Sequence, residues 1–210
     1  GYDFGSPGHR IDSLRETMQI VLSMWQEPET SFEGKHHQVV QARCDPKPIQ
    51  KPRPEVWVGG HGPRLITTAV RYADTFLSGG NSEIFGAKLR VLDEKCAAEG
   101  REPSSVGRAW LGRCEIADTE QELRDHYDRA KEAARGHQVG GDLAEAWEKL
   151  FDQDFQAYQA KFLVGTPEQV RQKLEWLRSI GVGHVVLQCD DFPHTDTVSA
   201  LAQDVLPRFK

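Results

Sequence analysis

The sequence predicts an α/β fold in which parallel strands alternate with helices. Short apolar runs of β type recur along the chain, helical stripes at 3–4 spacing follow them, and glycine or proline marks most boundaries. Alternation of this kind indicates parallel strands joined by helical crossovers. Four strands predicted in this way fit either half of a (β/α)8 barrel or a small doubly wound sheet.

The composition is that of a globular protein of one domain, residues 1–210. The net charge is −6 and basic residues are interleaved with acidic ones, which argues against a nucleic-acid surface. No apolar stretch approaches the ~20 residues that span a bilayer, and the N-terminus does not resemble a signal peptide. We therefore expect a cytoplasmic protein with neither nucleic acid nor membrane as a partner.

The four cysteines form no C-x-x-C pair, so reduced thiols are the favoured interpretation, although the spacing leaves metal and disulfide roles open. His36 and His37 precede Cys44 and suggest a ligand cluster. Adjacent side chains on a strand point to opposite faces, which argues against a shared metal. We expect no metal site.

The first predicted helix follows the turn at residues 5–8 and ends before Pro28. Its stripe consists of Ile11, Leu14, Met18, Val21, Leu22 and Trp25. Residues 45–54 then contain four prolines, which hold the backbone extended and remove N–H donors. A ligand for an SH3-type domain is one interpretation; a stiff connector to the next strand is the favoured one.

The stretch from Val56 to Arg64 is the most informative in the chain. A short apolar strand breaks into Gly59-Gly60-His61-Gly62-Pro63-Arg64, and a helical pattern follows without a spacer. A strand, a glycine turn and a helix start together can present backbone N–H groups to an anion. The alternative is a tight turn that uses glycine for its geometry alone, because isolated glycine-rich turns are weak signals.

The remaining elements repeat the rhythm. A second strand at residues 75–78 ends in Gly79-Gly80-Asn81, a helix starts at Ser82, and a third strand lies within residues 109–117. Thr119 to Glu122 has the pattern of a capping box, as does Thr166-Pro167-Glu168-Gln169. A fourth strand covers residues 184–188, and a last helix runs from about Thr195 to Val205.

Residues 118–162 interrupt the alternation and are interpreted as a helical insertion. Within this stretch, residues 143–162 resemble one or two amphipathic helices with aromatic residues at helical spacing. We interpret these aromatic residues as core or subunit interface: Trp147, Phe151, Phe155 and Tyr158.

These motifs together resemble the luciferase-like family of flavin and deazaflavin oxidoreductases, most closely its F420-dependent branch. The resemblance covers nearly the whole chain. The stretches that carry it are residues 2–4 with Arg10, 32–36, 46–52, 58–64, 71–74, 165–170, 181–184 and 205–209.

The resemblance implies a partial (β/α)8 TIM barrel, because the four predicted strands look like strands five to eight of the family fold. The chain then corresponds to the C-terminal two-thirds of a family member. In that case the apolar strand faces lack partners, and we expect a homo-oligomer. These faces comprise Val56, Val58, Phe76, Leu77, Val185 and Leu187.

The resemblance also implies the site. Gly59, Gly60, His61, Gly62, Pro63 and Arg64 are expected to bind the ribityl-phosphate tail of coenzyme F420, or of FMN as the alternative. Ser78, Gly79 and Asn81 are expected to line the substrate side. The family places its catalytic groups on its first four strands, so no catalytic residue is assigned here.

The implied reaction is hydride transfer between reduced F420 and a small organic substrate. An FMN-dependent luciferase-like monooxygenase is the alternative. A catalytically inactive scaffold or interaction domain is the alternative of another class, and a nucleotide or sugar-phosphate binder that uses the same turn is a third.

Overall fold

The structure is a computed structural model that describes residues 4–136, 150–189, 191 and 194–209. Its contacts divide the chain into two units. The first unit comprises Gly1–Leu77 and Lys88–Gly107, and the second comprises Ser78–Ala87 and Arg108–Lys210.

Two strand pairs organise the first part of the chain. The elements in chain order are α1 Pro7–Gln26, β1 Thr30–Glu33, β2 Gln38–Ala42, β3 Trp57–Gly59, α2 Pro63–Tyr72, β4 Thr75–Ser78 and α3 Ser82–Ala98. Strands β1 and β2 form an antiparallel pair, and β3 and β4 form a parallel pair. Helix α1 precedes β1, α2 links β3 to β4, and α3 follows β4.

The second part continues the parallel alternation. Its elements are β5 Gly107–Ile116, α4 Glu120–Gly136, α5 Phe155–Lys161, β6 Leu163–Gly165, α6 Pro167–Ser179, β7 Val182–Cys189 and α7 Asp196–Ala200. Strand β5 pairs in parallel with β6 and with β7. A π-helical turn, Leu201–Val205, continues the last helix. The predicted α/β class with parallel strands is confirmed.

The helix starts follow the predicted local chemistry. Thr166 accepts a hydrogen bond from the backbone N–H of Gln169, and the Gln169 side chain accepts one from the N–H of Thr166. The same reciprocal pair joins Thr119 and Glu122, at 3.2 Å in both directions. These caps satisfy N–H groups that have no partner within the helix, so both α6 and α4 start where their sequences predict.

Strand β6 was not predicted. Its three residues are too few to show a period of two. They directly follow Phe162, where the predicted helices end. All three residues are buried, and they pair with Cys114, Glu115 and Ile116 at the end of β5. A buried three-residue strand is set by its neighbours, not by its own pattern.

Part of the predicted aromatic helix lies outside the described residues. This part belongs to residues 137–149 and includes Trp147. The described aromatic side chains form a buried cluster in which Tyr127 of α4 contacts three rings at centroid distances of 5.0–5.7 Å. These rings belong to Phe151, Phe155 and Tyr158. Their assignment to the core is confirmed, whereas the insertion at 118–162 stays a prediction.

The expectation that six strand side chains lack partners is wrong for three of them. Val56, Val58 and Phe76 are 8%, 5% and 0% exposed. Helix α2 lies in the same unit and contacts β3. Four of its residues are buried: Ile66, Thr68, Ala69 and Val70. The other three side chains are half-buried: Leu77, Val185 and Leu187.

The carboxylate of Asp74 joins the proline-rich connector to strands β3 and β4. It accepts hydrogen bonds from both terminal nitrogens of Arg53 and one from the backbone N–H of Val56 at 2.7 Å. The hydrogen bond from Arg53 is the main reason that the pKa of Asp74 lies below its ordinary value. The charged form of Asp74 therefore stabilises the fold.

We expect Asp74→Asn to destabilise the chain by about 1 kcal/mol at pH 7, since the Asp74 side chain is 36% exposed and water screens the pair. Because the folded pKa is lowered, this contribution is present above pH ~4 and is lost as the pH falls through the folded value. Urea unfolding at pH 7 and pH 3 measures the difference between wild type and variant, which should shrink in acid.

The matched control is Glu120→Gln, which removes the carboxylate from a more exposed pair with Arg124. It should leave the urea midpoint unchanged. A wild-type advantage over Asp74→Asn that stays constant from pH 7 to pH 3 would show that Asp74 does not act through its charge.

Candidate functional site

The glycine turn is built by the end of β3 and the start of α2. Gly60 has φ 142° and donates its N–H to the carbonyl of Leu77 at 3.0 Å. Gly62 has φ 90° and is the N-cap of α2. Both angles lie in the region that favours glycine, so the predicted turn geometry needs these residues whether or not a ligand binds.

The surface of the turn is open. Gly59, His61, Gly62, Pro63 and Arg64 are exposed. A Cβ built at Gly62 meets no atom within 4 Å, and no side chain caps the first turn of α2, which contains no acidic residue. An uncapped helix start with free space in front of it is suited to an anion.

Basic side chains lie at the turn. Arg64 pairs with Asp12 of α1 at 2.9 Å. Arg15 lies 3.5 Å from the same carboxylate and donates to the carbonyl of Arg64 at 3.2 Å. Lys88 of α3 lies 2.8 Å from Nδ1 of His61. Three basic side chains, Arg15, Arg64 and Lys88, thus lie at the turn together with the carboxylate of Asp12.

The contact with Lys88 defines the tautomer of His61. An ammonium group has donors and no acceptor, so Nδ1 of His61 must accept from it. The imidazole is then neutral with its proton on Nε2. This arrangement makes Nε2 an N–H donor.

Sequence reasoning did not find Lys88. It follows His61 by 27 positions, beyond any local motif, and it belongs to a helix whose pattern indicated structure alone. The contact between Lys88 and the turn becomes evident only in the folded structure.

The residues predicted to contact substrate have different environments. Ser78 is 3% exposed, and a Cβ at Gly79 would lie 2.3 Å from the carbonyl oxygen of Leu111. Asn81 accepts a hydrogen bond from the N–H of Ile84 at 2.9 Å and caps α3. Of these three, Asn81 lines a cavity, and their contact with substrate stays a prediction.

This cavity lies within the second unit and has a volume of about 510 Å³. Two indoles contribute to its lining, Trp110 of β5 and Trp176 of α6. Trp110 is 2% exposed and donates its ring N–H to the carbonyl of Gly80 at 3.1 Å. Amide side chains supply most of the polar lining: Asn81, Gln156, Gln159, Gln169 and Gln172.

Lys173 of α6 also lines the cavity and joins three segments. Its Nζ donates to the carbonyl oxygens of Gln159, Phe162 and Val164 at 2.7, 3.0 and 2.8 Å. Burial lowers the pKa of Lys173 to about 8. Sequence reasoning missed this residue, although Lys173 lies three positions after Val170 and four before Leu177, on the stripe predicted to be buried.

The histidines near β2 have structural contacts. His37 Nε2 lies 2.7 Å from the hydroxyl of Ser13 and 3.2 Å from that of Thr17. The His36 ring lies 4.4 Å from the ring of His9, measured between centroids. Within the described part of the chain, no group of three metal-ligating side chains could hold a metal ion, and no helix is long and apolar enough to cross a membrane.

Parallel strands that alternate with helices, and a glycine turn that opens a helix at a strand end, define an α/β protein with a parallel sheet. The family model for luciferase-like monooxygenases matches residues 2–184. The chain therefore belongs to the luciferase-like monooxygenase family.

Two curated relatives represent the two coenzyme types of the family. The FMNH2-dependent dimethylsulfone monooxygenase of Pseudomonas putida is 28% identical over 94% of this chain and 58% of the relative. The F420-dependent glucose-6-phosphate dehydrogenase of Amycolatopsis mediterranei is 24% identical over 96% of this chain and 62% of the relative. The chain thus spans about three-fifths of the length of these two relatives.

A solved structure supports the fold assignment. The coenzyme F420 dependent tetrahydromethanopterin reductase from Methanopyrus kandleri superposes with a TM-score of 0.73 and 20% identity. The match covers 95% of this chain and 64% of the reductase chain. At this identity the likeness shows the fold.

We expect the stability of the chain to report the titration of Lys173. Since the folded pKa is about 8 and the ordinary value is 10.5, the unfolded chain binds the extra proton between these values. Stability then rises with pH across this window, by at most ~1.4 kcal/mol per pH unit. Lys173→Met should lose this component and be less stable at pH 7, because three carbonyls lose their donor.

Chemical denaturation at intervals from pH 7 to pH 10.5 gives the comparison. Lys51→Met, at an exposed lysine of the connector, controls for the loss of a lysine charge. If wild type and Lys173→Met differ by the same amount at every pH, Lys173 is not protonated differently in the two states.

Proposed function

We propose that the chain is part of an F420-dependent oxidoreductase and that its glycine turn binds the phosphorylated tail of the coenzyme. The observation that carries this proposal is the open, uncapped start of α2 at Gly62, with the basic side chains of Arg64 and Lys88 nearby. Such a start is suited to a phosphate. The residues present therefore fit the phosphate end of a flavin or deazaflavin.

Each residue of the turn has a proposed role. Gly62 leaves space for the phosphate next to the first N–H groups of α2, and Pro63 starts the helix at a position where an N–H is not needed. Arg64 supplies a guanidinium in the first turn. His61 donates from Nε2, and Gly59 and Gly60 hold the backbone in position. The bound coenzyme would supply hydride transfer.

The substrate side is proposed to include Ser78, Gly79 and Asn81. Asn81 supports this role most directly, because it lines the cavity of the second unit. Ser78 and Gly79 would act by shaping the backbone after β4. The substrate is proposed to be a small organic molecule.

An FMN-dependent monooxygenase is the second candidate. It is favoured by the dimethylsulfone monooxygenase, which is 28% identical, against 24% for the F420-dependent dehydrogenase. Both coenzymes carry a phosphorylated ribityl tail, so the turn fits either one. Separate titrations of FMN and F420 distinguish the two candidates.

Arg64→Gln is expected to weaken binding of the preferred coenzyme about tenfold, because a charge-assisted contact to phosphate is lost. Coenzyme fluorescence during titration measures the dissociation constant. Arg71→Gln is the matched control at the other end of α2, where the guanidinium pairs with Glu99. Equal affinities for the two variants would remove the turn from the proposed site.

Gly60→Val is a less informative variant of the same turn. A Cβ at Gly60 would lie 2.3 Å from Leu65 Cδ2, so the substitution disturbs packing as well as the approach of a phosphate. Loss of binding in this variant therefore needs an unfolding measurement beside it, whereas Arg64 is 55% exposed and can be replaced without a packing change.

We also propose that the chain associates with itself through the face of β5 and β7. No residue of β7 is fully buried, and Val186 is 40% exposed beside its register partner Leu111, which is 43% exposed. Apolar side chains exposed on a strand favour association.

Val186→Lys is expected to shift sedimentation velocity profiles towards the monomer, because a charge is then placed on the apolar face. Ile49→Lys, at a 93% exposed position of the connector, is the control. A chain that is monomeric at every concentration would contradict the proposal. Self-association without binding of either coenzyme would favour the alternative of an inactive scaffold.

A further inference from the structure

Two cysteines occupy adjacent positions on neighbouring strands. Cys114 of β5 and Cys189, the last residue of β7, are partners in the parallel register, and neither is joined in a disulfide. Neighbouring strands lie about 4.8 Å apart, and register partners extend from the same face of the sheet. A disulfide accommodates Cα separations of about 4.4–6.8 Å, so the strand spacing permits a bond.

The two thiols differ in access to solvent. Cys114 is 1% exposed, whereas Cys189 is half-buried at the end of its strand. Burial, followed by the proximity of Cys189, raises the pKa of the Cys114 thiol far above its ordinary value. The thiolate is the reactive form of cysteine, so an oxidant that arrives from solvent reacts first at Cys189.

We propose that Cys114 and Cys189 form a reversible disulfide when the chain meets hydrogen peroxide. In the first step the Cys189 thiolate attacks one peroxide oxygen, the O–O bond breaks, and a sulfenic acid and hydroxide form. In the second step the thiol sulfur of Cys114 attacks the sulfenic sulfur, the S–O bond breaks, and the thiol proton passes to the leaving oxygen, which departs as water. Two thiols and one peroxide thus give one disulfide and two waters.

The bridge acts on a strand that burial anchors weakly. Strand β7 contains eight residues, none of them fully buried, and is held to β5 by its hydrogen-bond ladder. Segments with few buried apolar contacts open locally at low free-energy cost. A bond between the ends of β5 and β7 would restrict that opening, and thiol reductants would restore it.

Peroxide treatment of the folded chain followed by thiol titration in denaturant tests the proposal. The titrated thiols should fall from four to two. The intact mass of one chain should fall by two hydrogens, and proteolysis should yield a peptide pair that links Cys114 to Cys189. Dithiothreitol should restore all four thiols. This mapping uses the wild-type chain, so it does not depend on variants that fold.

The remaining cysteines provide the control. In the variant with Cys44→Ser and Cys96→Ser, the two remaining thiols should both be lost on treatment. A further Cys189→Ser change should abolish the mass loss. The proposal is overturned if the bridge involves Cys44 or Cys96, if it joins two chains, or if Cys189 becomes a sulfinic acid while Cys114 stays a free thiol.

Discussion

The carboxylate of Asp74 fixes the point at which β3 begins, and the position of the glycine turn follows from it. Asp74 accepts from the N–H of Val56, while the N–H groups of Asp74 and Thr75 both donate to the carbonyl of Val56. These hydrogen bonds set the register in which Trp57 pairs with Thr75 and Gly59 pairs with Leu77. Strand β3 starts at the residue after Val56 and has three residues, so the turn lies three positions beyond the anchored residue.

Features set by neighbouring residues could be predicted from the sequence. The reciprocal cap of Thr166 and Gln169 needs four positions, and Gly181, with φ 84°, ends the following helix. Features set by distant residues could not. Arg53 and Asp74 are 21 positions apart, Lys88 and His61 are 27 apart, and each pair looks unremarkable until the fold brings it together.

Two lysines that sequence reasoning missed show how the environment decides a role. Lys173 is surrounded by protein, its three donors all reach backbone carbonyls, and burial lowers its pKa to about 8. It ties α6 to the segment around β6 and supports the wall of the cavity. Lys88 contacts an exposed imidazole, where its charge adds to the field around the turn. The first lysine therefore acts on stability, whereas the second belongs to the proposed phosphate site.

The glycines alone cannot distinguish a phosphate site from a tight turn. Gly60 needs its positive φ and its close contact with Leu65 for the turn to fold, so its presence is explained without a ligand. The surroundings of Gly62 are different, because the space beside it is open and α2 starts there without a side-chain cap. The basic side chains of Arg64 and Lys88 near that opening, more than the glycines, are the physical reason for the proposed phosphate site.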